Sequence, residues 1–150
     1  MEAVATVTAL LAATLNAAAG AYAGWRWWRV APDHVSWVLV RAGQAATIAL
    51  ALVAGIAWLT GARPDEGLFW IYALVPVGTS FFAEQFRVLS AQTVLDARGL
   101  PDAKAVGRLP EADQRSIVLQ IARRELGVMT LAATVNAFLA VRAVTEAAGL

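Results

Sequence analysis

The sequence contains no cysteine, one histidine (His34) and little charge, with 15% of its 150 residues being Asp, Glu, Lys or Arg. The missing cysteines exclude disulfides, thiolate metal sites and thiol nucleophiles together. A single histidine excludes bis-histidine haem and His-rich metal sites within one chain. Charged residues normally make up about a quarter of a soluble chain. The shortfall here falls in four apolar runs, in a chain that is 59% hydrophobic with a mean hydropathy of +0.61. Such runs define a membrane chain rather than an unusually greasy globule. A net charge of +1, with no basic patch interleaved with stacking aromatics, gives no sign of a nucleic-acid partner. No Ser-His-acid arrangement, Gly-rich phosphate loop or metal-ligand spacing is present, so no catalytic residue, metal or cofactor is assigned.

The chain is organised around Leu68 to Arg98. The stretch opens apolar, passes Pro76-Val77-Gly78, and meets Glu84, Gln85 and Arg87 before continuing helix-like to Arg98-Gly99-Leu100-Pro101. Read as one helix it measures roughly 46 Å, against a hydrocarbon core of about 30 Å. It is therefore expected to cross the bilayer over 67–88 and to continue to 98 in water.

The first span is expected over 3–24. It is rich in small residues, and Asn16, Gly20 and Gly24 recur every fourth position. Small-xxx-small faces let helix backbones approach closely. A signal-peptide reading of Met1 to Gly24, ending at Ala21-Tyr22-Ala23, competes with this. Glu2 in place of a basic start, and the length of the apolar run, favour the span. Trp25, Arg26, Trp27, Trp28 and Arg29 follow as an interfacial belt, with an aromatic ligand cage as the sharper alternative.

Pro32 and Asp33 open a second span over 34–60, which stops at Gly61 with Pro64 beyond. Trp37 marks its first turn, Trp58 its last, and Trp70 opens the third span on the Trp58 side. A loop over 99–109 leads to a helix over 110–125 that continues into a fourth span over 126–147. The expected fold is thus a single all-α domain, an integral membrane four-helix bundle with helices 3 and 4 extended into a cytoplasmic helical hairpin. In that hairpin Val88, Ala91 and Leu95 are expected to face Ile117 and Ile121. Arg and Lys concentrate in the first and third connections, with only Arg63 and Arg142 on the other side. The positive-inside rule then places both termini outside a plasma or inner membrane and the 99–109 loop in the cytoplasm.

Polar residues inside the spans each need a reason. Arg41 and Gln44 share a face of the second span, and Glu84, Gln85 and Arg87 lie at similar depth on the third. Glu84 is the carboxylate placed to offset Arg41. A purely structural alternative pairs Glu84 with Arg87 along one helix while Arg41 snorkels to the headgroups. Asn16, Thr134 and Asn136 form a mid-membrane polar set, read either as helix registration or as a hydrophilic path. Pro76 and Gly78 mark a kink in the third span. The heptapeptides 11–17 and 131–137 differ at one place, which fits shared packing chemistry better than duplication.

These features support a non-enzymatic membrane subunit that self-associates, or docks a membrane partner, through the small-residue face and the hairpin. A small homo-oligomeric channel or transporter built on the Arg/Glu/Gln/Asn cluster is the second reading. An enzyme acting on a lipid or quinone beside the tryptophan belt is the third.

Overall fold

A computed structural model describes residues 2–61 and 67–147, so Arg63 and Pro64 lie outside the described residues. The described residues form five helices: α1 (Glu2–Trp28), α2 (His34–Leu59), α3 (Gly67–Ala97), α4 (Ala103–Val106) and α5 (Glu111–Ala147). There is no strand among the described residues. Three of the helices are long and apolar enough to cross a membrane: Ala3–Trp28, His34–Leu59 and Glu111–Glu146. α3 is not in that set; Thr79, Ser80, Glu84, Gln85 and Arg87 dilute its apolar run.

The distribution of side-chain size is the reverse of a water-soluble bundle. The buried positions are mostly alanine, including Ala9, Ala19, Ala23, Ala54, Ala73 and Ala143, whereas Leu52, Leu59, Phe81, Leu131 and Phe138 are exposed. Lipid tails are as apolar as leucine, so large side chains gain nothing by turning inward and small ones let backbones approach.

Gly20 and Gly24 show this directly. A methyl group on Gly20 would lie 2.8 Å from Thr134 Oγ1, and one on Gly24 would lie 3.1 Å from Thr130 Cγ2. Both glycines therefore seat α1 on α5 inside the chain. The small-residue face expected to receive a partner is consumed by this internal contact. Further out, Gly127 leaves room for the Trp27 ring, whose Nε1 would lie 2.8 Å from an added Cβ.

The helix ends follow from local chemistry. α1 does not stop at residue 24 but carries Trp25 to Trp28 within it. Val30 N–H then donates to Trp27 C=O (3.1 Å) and Ala31 N–H to Arg26 C=O (3.0 Å), with Val30 at φ 52°. That double closure normally takes a glycine, because a β-branched side chain is crowded in the left-handed region. α3 ends by the same pattern on Gly99 at φ 66°, with Leu100 N–H donating to Leu95 C=O at 3.0 Å. The stretch 99–109, expected as a plain loop, contains α4. Asp102 caps it by accepting from Ala105 N–H at 2.8 Å.

α3 runs through Pro76, which is buried, and a Cβ on Gly78 would meet nothing within 4 Å. Where α3 and α5 extend together, Val94, Leu95 and Ile117 form the buried cluster, flanked by Leu100, Val106, Leu109 and Ile121. The expected register is thus corrected at one end. Val88 is exposed, and Val94 takes the inward place. Val88 and Val94 are six residues apart, well short of two full turns of 3.6, so they point in different directions.

Gly20→Ala is expected to lower stability by about 1–3 kcal/mol through overpacking against Thr134. Gly55→Ala, where the added Cβ meets nothing within 4 Å, is expected to be neutral or to stabilise by up to about 1 kcal/mol through helix propensity. Thermal denaturation of both variants in detergent checks the contrast.

Candidate functional site

Three polar groupings interrupt the apolar body. The first is an ionic cluster between α2, α3 and α5. Arg41 sits one turn further along α2 than Trp37, about 6 Å by helix rise. Its Nη1 donates to Glu84 Oε1 at 2.5 Å and to Gln44 Oε1 at 2.7 Å. Gln44 Nε2 donates to the same Glu84 oxygen at 3.0 Å, and Arg87 Nε donates to Glu84 Oε2 at 3.0 Å. A longer contact, Arg41 Nη2 to Oε2 at 3.4 Å, completes the set. Both carboxylate oxygens are therefore committed to donors. Arg87 also lies 3.8 Å from Glu125 Oε2 and 5.8 Å from the Trp37 ring centroid. Two guanidinium groups and two carboxylates balance. A carboxylate so fully engaged is a tie between helices and is poorly set up as a base.

Of the residues expected in this cluster, the structure brings Arg41, Gln44, Glu84 and Arg87 together. Gln85 is exposed beside them. Glu125 and Trp37 complete the cluster, and sequence reasoning did not place either in it. Glu125 precedes the apolar part of α5 and reads as an ordinary surface acid; its only signal was its matching depth with Arg87.

The second grouping is a layer of amides and hydroxyls. Asn16 and Asn136 are each 1% exposed. Asn16 Nδ2 shares its two hydrogens among Ala12 C=O (2.9 Å), Gly43 C=O (3.0 Å) and Thr47 Oγ1 (3.1 Å), which ties α1 to α2. Asn136 Nδ2 donates to Ser80 Oγ at 2.9 Å, which ties α5 to α3. The two near-identical heptapeptides thus use their asparagines in the same way, each toward a different neighbour. Thr134 lies elsewhere: its hydroxyl donates to Thr130 C=O at 2.9 Å, on the seam with Gly20. A path running from Asn16 through Thr134 to Asn136 is therefore not formed. Thr47 and Ser80 take part instead; their only signal was a small hydroxyl residue inside an apolar run.

The third grouping lies where α1 turns into α2. Asp33 Oδ1 accepts from Ser36 N–H (2.9 Å) and Ser36 Oγ (2.7 Å), while Oδ2 accepts from Tyr22 Oη (2.8 Å). Arg26 Nε lies 3.0 Å from Oδ2, an ion-pair contact without hydrogen-bond geometry. The Ser36 hydroxyl and backbone bonds, with smaller help from Tyr22 and Arg26, outweigh desolvation and hold the Asp33 carboxyl down at about 2.

The tryptophans divide between the two ends. Trp58 and Trp70 meet edge to face at 5.3 Å. At the other end Arg26 lies over Trp25 at 5.5 Å and Arg123 over Trp27 at 5.6 Å, while Trp28 is exposed. Trp25 and Trp27 are thus engaged by the chain's own cations. No protein-family model, curated protein or solved structure matches the chain.

Two outcomes are expected from this geometry. In a double-mutant cycle, Arg41→Ala and Glu84→Ala should show a favourable coupling of about 0.5–3 kcal/mol, read from melting in detergent. Additive effects would show that the contact contributes nothing. Asp33→Asn should melt below the parent at neutral pH, because a depressed carboxyl stabilises only while ionised. That advantage is present above the ordinary aspartate value of 3.8 and fades as pH falls through about 2, where the two melting curves should converge.

Proposed function

We propose that this chain is a non-enzymatic integral membrane subunit. In this reading α3 crosses the bilayer alongside α1, α2 and α5, and α3 and α5 extend together into the cytoplasm. Trp37 and Trp58 support the depth assignment. Twenty-one residues of helix separate them, about 32 Å by rise, against a hydrocarbon core of about 30 Å. The ionic cluster then lies at the cytoplasmic boundary, where charged side chains cost least. Lys and Arg favour the same side: 98–124 holds Arg98, Lys104, Arg108, Arg115, Arg123 and Arg124 against Asp102, Glu111 and Asp113. Both termini then lie outside.

One observation carries the docking role. Between the start of α2 and the outer half of α5 lies an open cleft of about 750 Å³, whose lining includes Trp37, Val118 and Leu119 together with Asp33, Glu111 and Arg115. Val118 is 60% and Leu119 42% exposed there, beyond the ionic cluster and so on the watery side of it. Apolar side chains left uncovered outside the hydrocarbon mark a contact surface. Its charged lining is already paired, Asp33 with Arg26 and Glu111 with Arg115, so the cleft suits the apolar face of an amphipathic partner helix. Self-association through Gly20 and Gly24 is not retained, because those residues are used within the chain.

A transport reading draws on the amide layer, but the cavity there is about 10 Å³. Within one chain that is room for about one water molecule, so any path for ions would need surfaces shared between copies.

The test is gentle extraction from the native membrane, followed by sizing and identification of whatever travels with the chain. A co-purifying protein is expected from the parent and is expected to be lost from Leu119→Glu. Recovery of a bare monomer, or a partner kept by the variant, overturns the docking surface.

A further inference from the structure

The amide layer leaves one atom unaccounted for. Asn136 Oδ1 is enclosed and has no hydrogen-bond partner among the described residues, while Nδ2 of the same side chain is satisfied by Ser80. Exchanging the two ends of the amide only moves the deficit, since the Ser80 hydroxyl would then donate to oxygen and leave nitrogen unpaired. An unmet amide group away from water costs free energy, and buried polar atoms are otherwise almost always paired.

The same side chain borders the cavity of about 10 Å³, together with Asn16, Gln44, Ser80, Val40 and Met129. About 10–15 Å³ is what one water molecule requires, and a buried water typically makes about three hydrogen bonds. The lining offers that complement. Gln44 Nε2 gives one hydrogen to Glu84 and has a second to spare. Ser80 Oγ accepts from Asn136 and still has its own hydrogen to donate. Asn136 Oδ1 is an acceptor. Asn16 also lines the space, but its Nδ2 hydrogens are already engaged by partners on α1 and α2. No carboxylate borders the cavity, so the balance of neutral donors and acceptors suits water and not a bare cation.

From this we infer that a single buried water molecule occupies the junction of α1, α2, α3 and α5, accepting from Gln44 and Ser80 and donating to Asn136. The cavity that holds it is lined by residues of all four long helices. Through Gln44 it joins the amide layer to Glu84, making one hydrogen-bonded file from the middle of the protein to its ionic cluster. The inference rests on the packing alone and stands whether or not a partner docks at the cleft.

The sequence makes the test clean, because Asn16 and Asn136 are its only asparagines. Side-chain ¹⁵N-asparagine labelling of the full chain in phosphatidylcholine bilayers gives two amide signals, and Asn136→Leu assigns them by removing one. Water-edited solid-state NMR is expected to show transfer from water to the Asn136 amide at short mixing times. Ser80→Val, which removes the donor and fills the space, is expected to abolish that transfer while the Asn16 signal stays in place. Ala133→Val fills the same cavity from α5 and serves if Ser80→Val does not fold. Absence of transfer in the parent chain overturns the site, and so does transfer that survives both fillings.

Discussion

Two buried amides fix how the long helices sit against one another. An interior built of alanine packs closely, but many axial offsets bury similar area, because alanine offers few distinctive knobs and holes. Asn16 and Asn136 remove that freedom. Asn16 reaches Gly43 and Thr47 on α2, and Asn136 reaches Ser80 on α3. Each such bond is worth only about 0.6 kcal/mol on average between membrane helices. Their value is geometric: a slip of one turn along either helix would strand an amide in an apolar interior.

The ionic cluster repeats this logic one layer further out, with charge in place of amides. Glu84 is shared by Arg41 and Arg87, and Arg87 reaches on to Glu125, so α2, α3 and α5 are tied at one depth. Arg41 remains 52% exposed on its side chain and Glu84 27%. At that exposure the pair's main effect is to fix geometry. Gln44 links the two layers, since it bonds Glu84 and borders the amide cavity. The polar interior is thus a continuous seam, while the outside is left to large apolar side chains.

Much of this arrangement was legible in the residues, for reasons that can be named. The extents of α2 and α5 followed from the pattern of the residues, and Asp33 announced where α2 begins. Arg41 and Glu84 could be matched in depth because α2 and α3 are antiparallel neighbours, and in the structure they meet. Other features were invisible because they depend on rotation about a helix axis. Val94 replaced Val88 at the outer α3–α5 contact, and the Gly20 stripe turned inward to α5 instead of outward. Pattern alone cannot say which neighbour a small-residue face will meet. Glu125 escaped notice because its significance comes wholly from Arg87 across the interface. The extension of α1 to Trp28 ended at Val30, a residue that carries no glycine-like stop signal. The short helix α4 did have its capping aspartate in plain view.

The seam between α1 and α5 brings residue 20 against residue 134 and residue 24 against residue 130. More than a hundred residues of chain must therefore be synthesised after α1 before its glycines find their seat. Contacts of such long sequence separation close late and slowly. During that interval Asn16 has α2 at hand, so the first amide can be satisfied early. The glycine stripe must wait, bare, for the last helix to arrive, and assembly of this protein is correspondingly sensitive to anything that truncates the chain or delays α5.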